Sequence, residues 1–154
     1  MIISKDNSYW NKLRFAHVIQ SCIPDDAGWT GMEAVENILK NPTGVLFGYT
    51  LPQSQLSPEI KSDLRGVASI VRSELDWSLY EMSNLYVLKE HRNKGIGQEL
   101  VKARIDYIKT HDPKARGVIL STKEAYVVDF YSSISPFFEV IHNSSDFKLL
   151  LHTF

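Results

Sequence analysis

Between residues 78 and 110 the chain changes its hydrophobic period once, and two closely spaced glycines mark the change. Residues 78–87 (SLYEMSNLYV) alternate as a strand does, which places Leu79, Glu81, Ser83, Leu85 and Val87 on one side. Over 95–110, Ile96, Leu100, Val101, Ile105 and Ile108 recur at helical spacing, and Asp112-Pro113 closes the segment. The junction between them reads Lys89-Glu90-His91-Arg92-Asn93-Lys94-Gly95-Ile96-Gly97-Gln98. Glycines at a strand-to-helix junction let the backbone turn tightly and aim successive N–H groups at one point, where the helix dipole adds positive potential. That is a phosphate site in outline, with Arg92 and Lys94 supplying formal charge. A solvated basic turn capped by glycine is the competing reading. Spacing excludes two familiar phosphate loops: there is no Gly-x-x-x-x-Gly-Lys-Ser/Thr, and Leu100 stands where a dinucleotide fingerprint needs its third glycine.

The flanking pattern predicts the α+β class. Helical spacing covers 8–22 through Trp10, Leu13, Phe15, Val18, Ile19 and Cys22, and 31–39 through Met32, Val35, Ile38 and Leu39, before Asn41-Pro42. Strands are predicted over 44–50, 66–71, 118–120, 137–141 and 147–151, a further helix over 123–133, and a loop inside the domain over 51–58. The sum is a mostly antiparallel central sheet flanked by helices. A length of 154 residues fits one domain, 1–154, with its own core.

Charge narrows the function. With 17 Lys plus Arg against 18 Asp plus Glu, the chain lacks the one-sided field of a nucleic-acid binder. No apolar run approaches the roughly 20 residues of a membrane span, and the N-terminus lacks a secretory pattern, so a cytoplasmic protein is expected. Cys22 is the single cysteine and excludes internal disulfides. His17, His111, His142 and His152 show no metal-motif spacing, so no metal is expected.

Leu85-Tyr86-Val87, a short charged turn and Arg92-x-x-Gly95-x-Gly97 opening an amphipathic helix resemble the acetyl-coenzyme A signature of the Gcn5-related N-acetyltransferase (GNAT) superfamily. Phe130-Tyr131 resembles the family's aromatic-Tyr pair in its fourth helix, although Ser135-Pro136-Phe137-Phe138 replaces the usual Gly-Phe, and Glu124 stands where an asparagine is common. The resemblance implies the GNAT fold, with the first 43 residues as the variable helical pair that shapes the acceptor pocket. It also implies acetyl-CoA as acyl donor. Its pantetheine arm would lie along Leu85, Tyr86 and Val87, and its pyrophosphate on Arg92, Asn93, Lys94, Gly95, Ile96, Gly97 and Gln98. A homodimer is plausible in such a family.

Direct acyl transfer to an amine needs a base, a donor for the developing oxyanion and a proton for the departing thiolate. Glu81 is the candidate general base, with an exposed strand carboxylate as the alternative. Tyr131 is the candidate general acid, its alternative being a ring buried with Phe130 and Phe137. His91 is a phosphate contact or an exposed loop histidine, and Cys22 reads as core filler. Trp29, Trp77 and Tyr80 are either acceptor-pocket walls or packing aromatics. The expected activity is N-acetylation of a primary amine. The alternative is a non-catalytic acyl-CoA-binding module.

Overall fold

The computed structural model describes residues 1–50, 63–134 and 138–154. The loop read over 51–58 lies outside the described residues, as do Ser135, Pro136 and Phe137 of the substituted turn. In chain order the elements are β1 (Ile2–Ser4), α1 (Tyr9–Cys22), α2 (Gly31–Leu39), β2 (Val45–Thr50), β3 (Leu64–Arg72) and β4 (Leu79–Val87). There follow a 3-10 turn (Lys89–His91), α3 (Ile96–His111), β5 (Gly117–Thr122), α4 (Ala125–Ser133), β6 (Glu139–Asn143) and β7 (Lys148–Thr153). β1 is too short to give a periodic signal and was not predicted by the pattern; it is held as an edge by Ile2 opposite Gly48.

The seven strands form one sheet in the order β1-β2-β3-β4-β5-β7-β6. Every pairing is antiparallel except β4 with β5. α1 and α2 cover one face, with Phe15, Val18, Ile19 and Val35 buried against Leu46, Leu64 and Val67. α3 and α4 cover the other, where Ile96, Leu100, Val101, Ile105 and Ile108 pack on Phe47, Ile70 and Met82. Full burial of each such side chain is worth about 1.5–3 kcal/mol.

Local chemistry sets the helix starts. Ser8 Oγ accepts from Asn11 N, and Thr30 Oγ1 accepts from Glu33 N, each satisfying a first-turn N–H. On α1 the structure corrects one expectation: Trp10 is exposed, while Asn11 is buried. Asn11 turns inward because its Nδ2 donates to Ser4 Oγ at 3.0 Å and to Asp6 O at 2.7 Å, pinning α1 to β1.

Candidate functional site

The site begins with an irregularity in β4. Across β3, Ser69 faces Ser83 and Val67 faces Tyr86, so β4 spends three steps where β3 spends two. The extra residue is a β-bulge at Asn84, whose φ is 53°. It reverses the side-chain alternation. Tyr80 and Met82 pack with the α3–α4 core before it, and Leu85 and Val87 after it. The expectation that Glu81, Ser83, Leu85 and Val87 share a face is therefore wrong: Glu81 lies opposite Val71 on the α1–α2 side. A strict two-residue period cannot anticipate a bulge.

Beyond the bulge the sheet divides. β4 and β5 pair only where Leu79, Tyr80 and Glu81 face Gly117, Val118 and Ile119. Past that point the strands line opposite walls of a cleft of about 770 Å³, with Met82 to Val87 on one wall and Leu120 to Thr122 on the other. The cleft also takes in Arg92, Asn93, Gly95, Ile96, Gly97 and Gln98. Of the predicted cofactor residues only Lys94 is absent from the lining, and it is exposed.

Gly95 caps α3 at φ 83°, offers no side chain to the first turn, and has open space where a Cβ would stand. At Gly97 a Cβ would meet the Phe130 ring at 3.2 Å. The result is a backbone cradle at a helix N-terminus, which suits a diphosphate. Arg92 Nε donates to Val87 O at 2.8 Å, fastening the loop to the end of β4.

Tyr131 lines the cleft from α4 and is buried. Its ring meets Phe130 and Phe138 edge-on at 5.0 Å each, so Phe138 is the described partner on that side. Its hydroxyl accepts from Arg104 Nη2 at 3.1 Å. Sequence reasoning passed over Arg104 because charged residues on a helix are ordinarily solvated, yet its spacing from Leu100 and Ile108 puts it in the buried stripe. It also passed over Asn84, which only a signal for left-handed backbone could have exposed.

Glu81 lies outside the cleft lining, with an exposed side chain. Partial desolvation of its carboxyl raises its pKa, and nearby Glu74 adds to the rise. Cys22 is half-buried on the cleft wall rather than in the core, and burial pushes its thiol up, outweighing the opposing Arg92 hydrogen bond. His91 lines the cleft; burial, then Arg65 and Lys94, lower its pKa.

Neither Trp77 nor Tyr80 lines the cleft. Trp77 lies exposed over the Arg72 guanidinium, and Tyr80 Oη joins Arg72 and Asp112 at the far end of β4. Trp29 lines a smaller pocket of about 230 Å³ with Glu33, Ala34, Asn37, Ile38 and Asn84. Asn84 borders both cavities. Among the described residues no three His, Cys, Asp or Glu side chains converge as a metal site, and no helix is long and apolar enough to cross a membrane.

No curated protein sequence matches the chain. Residues 59–134 match the family model described as "Acetyltransferase (GNAT) domain". Among solved structures the chain is similar to aminoglycoside 6'-acetyltransferase type Ii at a TM-score of 0.73 and 17% identity, over 99% of this chain and 97% of that one. An aminoglycoside 6'-N-acetyltransferase complexed with coenzyme A superposes at 0.67 and 15% identity, over 99% and 97%. The ribosomal-protein-S18-alanine N-acetyltransferase from Escherichia coli gives 0.65 and 13%, over 99% and 92%. At these identities the likeness is one of fold. Residues 59–134, which hold the signature at Arg92 to Gly97, thus match a GNAT acetyltransferase domain, and the described chain has the GNAT fold.

Proposed function

We propose that the protein is an N-acetyltransferase that passes the acetyl group of acetyl-CoA directly to a primary amine on a small molecule or peptide. The observation that supports this best is the continuity of the β4–β5 wedge with the Gly95–Gly97 cradle, which gives one cleft a strand edge and a diphosphate seat.

The coenzyme supplies an activated acyl thioester whose sulfur needs a proton on release. In the β4 wall, Leu85, Tyr86 and Val87 bind the pantetheine arm through their main chain, as an added strand would be bound. Arg92 to Gln98 bind the pyrophosphate through backbone N–H groups, with Lys94 contributing positive potential from outside. A main-chain N–H beside the bulge serves the developing oxyanion. Tyr131 holds its proton at Oη on the cleft wall. The amine arrives from the α1–α2 side through the pocket of Trp29, Glu33 and Asn37, where a carboxylate and an aromatic ring suit a cation. Glu81 is on that side of the sheet, and its raised pKa fits a base that receives the amine proton through water. The aminoglycoside and alanine acceptors in the names of the similar structures are also amines.

The test is a thermal melt with acetyl-CoA, coenzyme A and ATP, followed by thiol release with a panel of primary amines. Ligand at 100 times its Kd adds about 2.7 kcal/mol, which raises the Tm by several degrees at about 2–4 °C per kcal/mol for this size. A rise with both coenzyme A species and not with ATP, together with amine-dependent thiol release, supports the reading. No rise overturns it. A rise without turnover on any amine favours a non-catalytic coenzyme-binding module.

A further inference from the structure

α3 carries a charge where its buried stripe calls for a hydrocarbon. Arg104 is 0% exposed, and its guanidinium meets four neutral oxygens. Nε donates to Leu100 O at 3.2 Å, Nη1 reaches Ser69 O at 3.4 Å and Ser83 O at 3.5 Å, and Nη2 donates to Tyr131 Oη at 3.1 Å. No carboxylate is among these partners. A buried cation held only by neutral groups is costly, and an apolar side chain would fill the stripe without that cost. Side chains that break the local rule in this way mark sites under another demand.

The partners say what the demand is. Ser69 and Ser83 face each other in the last regular pair before the Asn84 bulge, so one end of the guanidinium props the strands where the bulge begins. The other end meets the hydroxyl of Tyr131, the buried one of the two α4 tyrosines that line the cleft. A guanidinium donates hydrogen bonds and accepts none. Tyr131 Oη must therefore accept, and its single proton is turned away from Arg104.

We infer that Arg104 is a positioning residue: it presents the Tyr131 proton to the cleft and sets a fixed positive charge directly behind it. Arg104 is not in the cleft lining, so it acts through Tyr131. The inference rests on the reading of the cleft as a coenzyme A site.

The test compares the affinity of the full chain for coenzyme A and for desulfo-coenzyme A, which lacks the thiol, by calorimetry. The ratio cancels the phosphate and pantetheine contacts. The wild-type chain is expected to prefer the thiol form by about fivefold, the size of one net hydrogen bond. Arg104→Lys, still a donor only, keeps a preference. Arg104→Gln, whose carbonyl can take the Tyr131 proton, and Tyr131→Phe bring the ratio to about one. Arg104→Met, an apolar fit to the stripe, is expected to do the same and carries the test if Arg104→Gln does not fold. Equal affinities in the wild type, or an unchanged preference in Arg104→Gln or Arg104→Met, overturn the inference and leave the coenzyme site standing. Failure of the wild type to bind either ligand overturns both.

Discussion

Asn84 donates from Nδ2 to the Ser69 hydroxyl at 3.1 Å while its own backbone stands at φ 53°, so one residue both bends β4 and fastens the bend to β3. Asparagine is among the few L residues that adopt this left-handed conformation readily, and alanine pays about 1–2 kcal/mol for it. The lost hydrogen bond adds about 1 kcal/mol. Asn84→Ala is expected to lower the Tm by roughly 4–10 °C and to weaken coenzyme A binding. Asn84→Gly, which keeps the backbone, loses less. Calorimetric melts of the two variants decide this; an Asn84→Ala protein that melts with the wild type would show that the bulge does not depend on this side chain.

The cradle at α3 separates strain from charge. Gly95 has a φ of 83° with open space around its missing Cβ, so Gly95→Ala meets backbone strain of about 1 kcal/mol but no collision. Gly95→Asp adds a negative charge at the helix N-terminus, where the pyrophosphate is proposed to sit. Coenzyme A titrations are expected to show a Kd raised at least tenfold for the aspartate variant and by much less for the alanine variant. Equal effects would remove the phosphate from that end of the helix.

The raised pKa of the Glu81 carboxyl, from partial desolvation and from Glu74, has a definite sign in stability. The folded chain holds this proton more tightly than the unfolded chain. Its contribution to stability is present below the ordinary carboxylate range and is lost as pH climbs through the raised value. Glu81→Gln removes that loss. The variant is expected to match the wild type below about pH 4 and to exceed it in Tm at neutral pH. If Glu81 is the base, turnover also falls while coenzyme A affinity is kept. A variant less stable than the wild type at neutral pH contradicts the assignment of the shift.

Asp112 accepts from Arg72 Nη2 and from Tyr80 Oη at 3.2 Å, tying the start of β4 to the end of α3 at the closed end of the wedge. Asp112→Asn is expected to cost about 1–2 kcal/mol, because the two charges are only partly exposed. Coenzyme A affinity should not move, since none of the three residues borders the cleft. Melting and binding measured on the same preparation separate the two effects.

The residues that repeat on a period were legible in the sequence. α2 was predicted over 31–39 and forms as Gly31–Leu39; α3 was predicted over 95–110 and forms as Ile96–His111. Leu100 and Ile108 signal a buried stripe because nothing local opposes it. What breaks a period was not legible. The Asn84 bulge moves Glu81 and Leu85 to opposite faces, and no residue near it announces a left-handed backbone as a glycine would. Arg104 was hidden for the opposite reason: its position is periodic, but its charge argues for solvent, and only tertiary partners from β3, β4 and α4 reveal why it is inside. The glycine cradle was readable because Gly95 and Gly97 carry their conformational meaning in their identity.

The short parallel pairing of β4 with β5 joins two plates of the sheet along a narrow seam. β1 to β4 form one antiparallel plate, carrying α1, α2 and α3, while β5, β7 and β6 form another carrying α4. Three residues of each strand stitch the plates in register, and the Arg104–Tyr131 bond crosses from α3 to α4 as a clasp. Amides along the seam should exchange with solvent through openings smaller than global unfolding. A ligand in the wedge spans both plates, so its protection would extend into β5 and β7, well beyond the residues it touches.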